Sequence, residues 1–354
     1  MSKFLIEKLQ GLAAYVPGEQ PKDKKYIKLN TNESPFPPSI NVLKAIDTSL
    51  IGDLKLYCNP ECTSLVDAFC SVYDVNKENI IFGNGSDEIL NYCFTAFFSE
   101  KNPVVFPDIT YGFYKVFGDL YNIDYTEILL KNDFSIDIND YIGINKNIVI
   151  ANPNAPTGIC LSVEDIEKIV KSNPDNIVVV DEAYIDFGGE SCYKLTNKYD
   201  NLLVTGTFSK SRSLAGARLG FAIGNKELIA DLNKIKYSTN PYNINSLTQA
   251  VGTATLLDND YYLNNCKTII KNREFTVQNL KELGFEVLDS KTNFVFAKHP
   301  DFEGEFLYKE LYKKGILVRH FKNERIKDYL RITIGTSVEM TALIFAITKI
   351  IERG

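Results

Sequence analysis

The stretch TFSKSRSLAGARLG (residues 207–220) follows an apolar run, LLVTG at residues 202–206, that has the composition of a buried strand. It carries three cations, Lys210, Arg212 and Arg218, among serines and two glycines. Taken alone, the stretch fits a solvated loop as well as a ligand-binding loop. The rest of the chain has to distinguish these two interpretations.

Short apolar runs alternate with helical patterns between about residues 80 and 225, which is typical of an α/β core. Several runs are apolar at both alternating positions, as expected for strands covered by helices on both faces. Helical patterns at 87–98 and 162–172 lie between them. We therefore predict a doubly wound, mostly parallel seven-stranded sheet. Its strands are predicted at 79–83, 104–107, 125–130, 148–153, 177–184, 202–206 and 219–224.

The chain changes in character after about residue 245. A long helical pattern at 260–284 ends in Gly284, a residue suited to a helix C-terminus, and short apolar runs then lead to an amphipathic helix at 338–352. This pattern predicts a smaller α+β unit, and the first 28 residues lack a core of their own. The predicted organisation is an N-terminal arm that packs on the small unit (1–28), a large domain (29–245) and a small C-terminal domain (246–354).

Composition and charge exclude several classes of function. The net charge of −6 argues against nucleic acid or an anionic membrane as a partner. No apolar run approaches the roughly 18 residues of a membrane span, and the N-terminus lacks a signal-peptide pattern, so we expect a cytoplasmic protein. The seven cysteines form no C-x-x-C pair and only two histidines occur, so we expect neither a metal site nor a Ser-His-Asp triad.

Small and polar residues follow the predicted strands at the point where each strand ends. In an open α/β sheet, ligands bind outside the carboxyl ends of the strands, so these segments should meet in one site. A P-loop ATPase could also place an acid at Asp181, but no G-x-x-x-x-G-K-[ST] run is present, which disfavours nucleotide binding. The segments are NGSDE (84–88), DITYG (108–112), ANPNAPTG (151–158), DEAY (181–184) and TFSK (207–210).

Lys210 and Asp181 suggest a specific chemistry for this site. A lysine at a strand end can form a Schiff base with an aldehyde cofactor, and a neighbouring carboxylate can keep a pyridine nitrogen protonated. A phosphate on the cofactor would need an anion site. The segment 85–87 opens a helix whose free N–H groups bind anions, and Ser209 and Arg218 flank the lysine. These residues favour the ligand-binding interpretation of the opening stretch.

With these residues in view, the chain resembles the fold-type I pyridoxal-phosphate-dependent aminotransferases, in particular the histidinol-phosphate aminotransferase family. The resemblance implies a homodimer that moves an amino group between L-histidinol phosphate and 2-oxoglutarate or glutamate in histidine biosynthesis, by a ping-pong reaction. Aromatic amino-acid aminotransferases and threonine-phosphate decarboxylases are similar and remain alternatives, as does a non-catalytic effector sensor. The matching motifs are LNTNESPFPP (29–38), GNGSDE (83–88), TYGFY (110–114), NPNAPTG (152–158), VDEAYIDF (180–187), SKSRSLAGARLG (209–220) and LRITIGT (330–336).

The resemblance implies a role for each matching residue. Lys210 would hold the cofactor and move the substrate proton, Asp181 would pair with the pyridine nitrogen, and Tyr184 would donate to the phenolic oxygen. Tyr111 would stack on the ring. The other cofactor-binding candidates are Gly85, Ser86, Asp87, Asn154, Thr207, Ser209 and Arg218, with Tyr57 reaching across a dimer interface. The substrate-binding candidates are Tyr15, Asn32, Arg319 and Arg331, with Tyr242 from the second subunit.

The chain departs from the family pattern at two places. The family has an asparagine directly before Pro-Thr-Gly, where this chain has Ala155, so Asn154 is the candidate replacement. Arg212 stands where an aromatic residue is usual, and its role is open. Structural roles also compete with functional ones. Asp87 could be only a helix N-cap, Tyr15 and Tyr57 could be packing aromatics, and Arg319 could be a surface residue.

Overall fold

The structure is a computed structural model, and it describes residues 3–353. The first strand begins at Ile27, and α-helices and β-strands occur from there to Ile351. The strands are β1 (Ile27–Lys28), β2 (Ile80–Gly83), β3 (Val104–Pro107), β4 (Tyr125–Ile128), β5 (Asn147–Ala151), β6 (Val178–Asp181), β7 (Leu202–Thr207), β8 (Gly220–Gly224), β9 (Glu286–Val287), β10 (Phe294–Lys298), β11 (Ile316–Leu317), β12 (Arg319–His320) and β13 (Leu330–Thr333). The helices are α1 (Ile40–Lys44), α2 (Thr48–Gly52), α3 (Thr63–Tyr73), α4 (Ser86–Phe97), α5 (Phe113–Tyr121), α6 (Val163–Ser172), α7 (Lys226–Thr239), α8 (Ser246–Leu257), α9 (Asn259–Glu282), α10 (Gly304–Lys313) and α11 (Ser337–Ile351).

The central sheet has the strand order β2-β8-β7-β6-β5-β3-β4. All neighbours run parallel except β8, which is antiparallel to both β2 and β7. This confirms the predicted seven-stranded, mostly parallel sheet. The predicted strands differ from the observed ones mainly at their carboxyl ends. For example, β5 ends at Ala151 rather than at residue 153, where a proline has no N–H for the ladder.

Helices cover both faces of this sheet. Val179 lies in a buried cluster with residues of α4, α5 and α7. Val178 and Val180 lie in a separate cluster with residues of α6. Because successive side chains of a strand point to opposite faces, a strand covered on both sides has to be apolar throughout. The continuous apolar runs in the sequence therefore follow from this double coverage.

The small unit consists of the antiparallel sheet β12-β13-β10-β9 packed against α9, α10 and α11. Gly284 follows α9 with a φ of +88°, a left-handed conformation that glycine adopts without strain. Strand β1 pairs in parallel with β11, so the end of the N-terminal arm is attached to this unit. Nearer the start of the arm, the Glu19 carboxylate accepts a hydrogen bond from the Tyr308 hydroxyl of α10 at 2.9 Å.

Helix α8 does not pack on the unit to which the predicted domain boundary assigns it. Its buried residues Val251 and Leu256 lie in one cluster with Leu65 of α3 and Phe82 of β2. The helix therefore packs on the large unit, although the predicted boundary places residues 246–354 together. An apolar helical pattern indicates burial without indicating which unit covers the helix. The division that fits the packing lies between α8 and α9.

Candidate active site

Two adjoining cavities lie at the carboxyl ends of the central strands. The first cavity has a volume of about 260 Å³ and the second about 450 Å³. Most of the predicted site residues line one or both of them. The first cavity is lined by Ser86, Asp87, Tyr111, Asp181, Tyr184, Thr207, Ser209, Lys210 and Arg218, among others. The second also contacts Tyr111, Tyr184 and Lys210 and adds Tyr15, Asn32, Arg319 and Arg331.

Lys210 follows β7 and lies where the two cavities meet. It is the only lysine among residues 3–353 that lines either cavity. Its Nζ donates a hydrogen bond to the Thr31 carbonyl oxygen at 3.3 Å and lies 5.7 Å from the centre of the Tyr184 ring. A single long hydrogen bond leaves the amine able to react with a ligand in the cavity.

Asp181, the last residue of β6, is 5% exposed in the wall of the first cavity. Its Oδ2 accepts a hydrogen bond from the Tyr114 hydroxyl at 2.9 Å. Its Oδ1 accepts longer bonds from the Ala183 amide at 3.3 Å and the Thr205 hydroxyl at 3.4 Å. Burial raises the pKa of Asp181 to about 6, and the Tyr114 bond opposes that rise. Sequence reasoning missed Tyr114, whose position on an apolar helix face gave no polar signal.

An anion cradle lies at the other end of the first cavity. Helix α4 begins at Ser86, and its first-turn N–H groups provide the positive end of the helix dipole. Gly85 precedes the helix with a φ of +81°, and a Cβ there would lie 2.4 Å from Nη2 of Arg218. The Arg218 Nη1 donates to the Ser209 hydroxyl at 3.4 Å, and the Thr207 hydroxyl bonds the same oxygen at 3.0 Å. The group can therefore bind a phosphate.

Asp87 connects the cradle to an aromatic wall. Its Oδ1 accepts from the Tyr111 hydroxyl at 2.6 Å, and its Oδ2 accepts from Arg218 Nη2 at 3.1 Å. Gly85 occupies the N-cap position of α4, and no side chain of the described residues caps the helix, so the N-cap interpretation of Asp87 is wrong. The carboxylate instead fixes the Tyr111 ring and orients the guanidinium at the same time.

Tyr184 and Asn32 form a polar pair between the cavities. The Asn32 side-chain amide donates to the Tyr184 hydroxyl at 3.0 Å, and the Asn32 Oδ1 accepts from Thr333 at 3.0 Å. The second bond fixes which end of the Asn32 amide faces Tyr184. The Tyr184 ring packs edge-on against Phe294 with ring centres 5.2 Å apart. Both large and small units thus hold this pair in position.

Arg331 of β13 lines the second cavity and does not use all of its hydrogen-bond donors. One terminal nitrogen donates to the Asn30 carbonyl oxygen at 3.0 Å, while Nε is buried and has no partner among residues 3–353. The Phe294 and Phe321 rings lie 5.4 and 5.8 Å from the guanidinium carbon. Burial lowers the pKa of Arg331, yet a guanidinium stays charged in proteins. The site is suited to a carboxylate or phosphate.

Arg319 holds the N-terminal arm rather than standing free at the surface. Its guanidinium donates to the Val16 and Pro17 carbonyl oxygens at 3.1 and 3.3 Å. Tyr15 stacks on Phe113 with ring centres 4.4 Å apart and remains 40% exposed beside the second cavity. Both predicted residues therefore lie at the mouth of this cavity, where the arm passes over it.

Asn154 does not occupy the place expected of a cofactor ligand. Its amide nitrogen donates to the Ile109 carbonyl oxygen at 2.9 Å and to the Thr157 hydroxyl at 3.1 Å. Its Oδ1 accepts from Thr110 at 2.8 Å. Asn154 is 2% exposed and does not line the first cavity, whereas Ala155 does. The side chain stabilises the loop, and its role as the replacement for the family asparagine stays a prediction that these contacts do not support.

Tyr57 and Tyr242 lie outside both cavities and stack on each other, with ring centres 4.5 Å apart. They are 83% and 42% exposed. Exposed leucines at 54 and 56 adjoin Tyr57 in the sequence. Within one chain, neither tyrosine can contact a ligand in the cavities described here.

Arg212 links the lysine loop to the long helix of the small unit. It is 5% exposed and donates to the Asn259 side-chain oxygen at 2.5 Å, at the first residue of α9. Its guanidinium also lies 5.9 Å from the centre of the Tyr262 ring. Arg212 lines neither of the two cavities, and its functional role stays open.

Residues 3–353 offer neither a membrane span nor a metal centre of the usual kind. No helix in that range has the length and apolar character needed to cross a membrane. The same residues contain no group of three or more histidine, cysteine, aspartate or glutamate side chains arranged to hold a metal ion.

The chain is similar to known aminotransferases over its full length. A model of the family described as aminotransferase class I and II matches residues 24–347. A histidinol-phosphate aminotransferase of Brachyspira hyodysenteriae is 53% identical, covering 99% of this chain and 100% of the relative. One of Clostridium beijerinckii is 48% identical, covering 97% and 96%.

Solved structures share the fold at low sequence identity. Histidinol-phosphate aminotransferase from Sinorhizobium meliloti, in complex with pyridoxal-5'-phosphate, superposes with a TM-score of 0.89 at 23% identity, covering 100% of this chain and 99% of that one. L-threonine-O-3-phosphate decarboxylase from Porphyromonas gingivalis gives 0.79 at 19%, covering 92% and 99%. Because a transaminase and a decarboxylase both match, the fold does not separate these reactions. On the sequence comparisons, the chain belongs to the aminotransferase class I and II family.

Proposed function

We propose that this protein is a cytoplasmic, homodimeric aminotransferase that uses pyridoxal phosphate to move the amino group between L-histidinol phosphate and 2-oxoglutarate. The observation that carries this proposal is the meeting of Lys210, Asp181 and the α4 anion cradle in one cavity, which adjoins a partly buried arginine whose Nε has no partner among the described residues. The full-length identity to histidinol-phosphate aminotransferases supports the choice of substrate.

The residues present fit the proposed cofactor. A buried carboxylate, Asp181, suits a protonated pyridine nitrogen, and Tyr184 and Asn32 offer a polar pair for the phenolic oxygen. The cradle at Gly85 has no room for a Cβ and directs helix N–H groups and Arg218 at one point, as a phosphate requires. When bound, pyridoxal phosphate supplies an aldehyde for the amino group and a ring that accepts electron density from the substrate Cα.

The chain's own residues would transfer the proton and position the cofactor. Lys210 Nζ is the only lysine amine that the described residues bring to the cavities, so we assign to it the removal and return of the Cα proton. Asp181 holds the proton at the ring nitrogen. Tyr111, tethered through Asp87, limits the ring's movement on one face.

The second cavity would bind the two amino-group substrates in turn. Glutamate has an α-carboxylate and histidinol phosphate has a phosphate, and a guanidinium pairs bidentately with either anion. We propose Arg331 as the main contact because its Nε lacks a partner among the described residues. Arg319 and Tyr15 at the cavity mouth are the additional contacts.

We propose that two chains complete each site. Tyr57 and Tyr242 form an exposed aromatic pair that lines neither of the two cavities described above, and exposed leucines adjoin it. Burial of such apolar surface favours association. In the homodimer, Tyr57 and Tyr242 of each chain would contact the cofactor phosphate and the substrate of the neighbouring site.

The proposal is tested by half-reactions of the purified protein, followed through the absorbance of the bound cofactor. Glutamate and histidinol phosphate should both convert the cofactor to its amine form, and borohydride should fix it to Lys210. Phosphothreonine should release no CO₂, and aromatic amino acids should react more slowly. Release of CO₂ would identify the decarboxylase alternative, and a preference for an aromatic donor would identify the other one.

Hybrid dimers test the shared site. Mixing Lys210→Ala with Tyr57→Phe chains should give heterodimers with one doubly defective site and one intact site. Activity should therefore exceed the sum of the two parents once subunit exchange has been verified by mass spectrometry. Activity that stayed at the sum of the parents after exchange would contradict sharing.

A further inference from the structure

We infer that Tyr114 is a positioning residue that holds Asp181 in its ionised form, so that the proton between this carboxylate and the cofactor stays on the ring nitrogen. The inference rests on the proposed function, because it concerns the pyridine nitrogen of pyridoxal phosphate. Tyr114 itself touches neither cavity. Its effect would be transmitted entirely through Asp181.

The Tyr114 hydroxyl is positioned to bind the Asp181 carboxylate. Tyr114 is in the first turn of α5 and has no exposed surface. Its ring is surrounded by the Phe94, Phe106 and Tyr111 rings, at centre distances of 6.3, 5.8 and 5.7 Å. The hydroxyl makes one hydrogen bond among residues 3–353, to Asp181 Oδ2 at 2.9 Å. An apolar surrounding strengthens such a bond and makes its loss costly.

The other donors to Asp181 are weaker. The Ala183 amide and the Thr205 hydroxyl reach Oδ1 at 3.3 and 3.4 Å, near the upper limit for hydrogen bonds. Asp87, another carboxylate of the first cavity, acts in the opposite direction and raises the pKa of Asp181. Tyr114 is therefore the strongest group that favours the charged form.

The position of the proton depends on the difference in basicity between the Asp181 carboxylate and the ring nitrogen of the cofactor. Burial raises the pKa of Asp181 to about 6, so a carboxylate that lost its best donor would compete more strongly for the proton on a nearby nitrogen. Burial and Asp181 raise the pKa of the Tyr114 phenol well above its usual value, so Tyr114 remains a donor at any working pH. A ring nitrogen without its proton is a weaker electron acceptor.

A single short segment would thus orient two parts of the cofactor site. Tyr111, which lies across the first cavity, and Tyr114 are three residues apart at the start of α5, and their rings are nearly perpendicular at 83°. Tyr111 is fixed by Asp87, and Tyr114 is fixed to Asp181. The two tyrosines are neighbours in the chain and have different tasks.

The test uses the holoenzyme reconstituted with ¹⁵N-labelled pyridoxal phosphate and observed by NMR. In Tyr114→Phe, which keeps the ring and its packing, the nitrogen signal should move from the wild-type position toward that of unprotonated pyridine. The glutamate half-reaction should slow roughly tenfold while the half-saturating glutamate concentration stays within about twofold, since the substrate contacts are untouched.

Tyr141→Phe is the matched control. Tyr141 is 1% exposed in the cluster on the other face of the sheet, and its hydroxyl has no partner among residues 3–353. Its replacement should leave the nitrogen signal in place. Thr205→Val, which removes a longer bond to the same carboxylate, should move the signal in the same direction by a smaller amount, and it remains available if Tyr114→Phe does not fold.

The outcomes are distinct. A nitrogen signal unchanged in folded, cofactor-loaded Tyr114→Phe would overturn the inference, as would an unchanged signal in Thr205→Val if only that variant folds. Equal shifts in Tyr114→Phe and Tyr141→Phe would also overturn it, because they would indicate a general packing effect. Failure of the wild-type protein to bind pyridoxal phosphate would instead contradict the proposed function.

Discussion

The two cavities differ in how many of their polar side-chain groups already have hydrogen-bond partners within the chain. In the first cavity, Asp181 is bonded to Tyr114, and Asp87 is bonded to both Tyr111 and Arg218. In the second cavity, Arg331 keeps a buried Nε without a partner among the described residues. The first arrangement suits one permanent ligand held in a fixed orientation. The second suits anions that arrive and leave.

The difference has a structural origin. The first cavity is built at the ends of adjacent strands of one sheet, whose ladder fixes Asp181 opposite Ala151 and Thr205. The second cavity is assembled from the arm, the segment around Asn32 and the small unit, which are far apart in the chain. A rigid scaffold positions catalytic groups well, whereas a composite wall can adapt to substrates of different shape.

Lys210→Ala should give the largest effect, because no other lysine of the described chain lines either cavity. Positioned acid–base groups contribute about 10²–10⁴-fold, and the covalent attachment adds to that. We expect turnover below about a ten-thousandth of wild type with an unchanged circular dichroism spectrum. Lys234→Ala, at an exposed lysine of α7, is the control and should retain full activity. Retention of a tenth of the activity by Lys210→Ala would place the chemistry elsewhere.

Arg331→Lys tests whether the second cavity recognises a planar anion. Lysine keeps the charge and loses the bidentate geometry. The glutamate half-reaction should lose well over tenfold in kcat/KM, and Arg331→Ala should lose about 2–5 kcal/mol of transition-state binding. Binding of the cofactor, measured by its absorbance, should stay unchanged. Equal kinetics for Arg331→Lys and wild type would transfer the anchor role to Arg319.

Glu182→Gln tests how much a buried carboxylate, next to Asp181 in the chain, lowers the stability of the folded protein. Glu182 is 6% exposed and accepts from the Ser191 hydroxyl and from the Cys192 amide at 2.8 Å. Burial raises its pKa from 4.5 to about 7. Since the folded state then binds more protons than the unfolded state, stability falls as pH rises from about 4.5 to about 7 and is level above that. One pKa unit corresponds to about 1.4 kcal/mol, so the cost is on the order of 3 kcal/mol.

The measurement is denaturant unfolding of the cofactor-free proteins at several pH values. Glutamine resembles the protonated acid, so the variant should gain stability relative to wild type as the pH rises from about 5 to 7. Glu167→Gln is the contrast, because a hydrogen bond from Lys198 lowers the pKa of Glu167, so the stability that this carboxylate contributes changes only below about pH 4.5 and the difference from wild type should stay level between pH 5 and 7. A difference between Glu182→Gln and wild type that did not depend on pH would contradict this account.

Asn154→Ala should have the smallest effect on the cofactor. Its side chain bonds Ile109, Thr110 and Thr157 outside the first cavity. We expect the dissociation constant of pyridoxal phosphate to change by less than about threefold, while the free energy of unfolding falls by about 1–3 kcal/mol from unpaired groups. A tenfold loss of cofactor affinity at unchanged stability would restore Asn154 as a ligand.

Much of the fold could be predicted because its physical causes are local. Strands buried on both faces must be apolar throughout, and the segments at their carboxyl ends meet at one edge, so the sequence alone was enough to place Asp181 and Lys210 together. The helix start at residues 85–87 could be predicted from that segment alone, and α4 begins at Ser86. These features follow from the pattern of residues along short stretches.

Other features depend on packing between distant segments and could not be predicted. In the sequence, Tyr114 is one more aromatic residue on the buried face of α5, and only the approach of that helix to β6 gives its hydroxyl a carboxylate partner. Asn154 has the right residue type, but the backbone turns its amide into the loop. The placement of α8 depended on which unit covers its apolar face.

The contacts of Arg319 make the N-terminal arm an intramolecular competitor for anions. Each terminal nitrogen of Arg319 already donates one hydrogen bond, to the Pro17 or the Val16 carbonyl oxygen, and these acceptors are held nearby by the chain at a high effective concentration. An anion that binds both terminal nitrogens of Arg319 has to displace or share two hydrogen bonds to the arm, whereas Arg331 makes one such bond and its Nε has no partner among the described residues. An anion bound at the mouth of the second cavity would therefore dissociate faster than one bound to Arg331 in its interior. This difference in residence time favours release of the ligand.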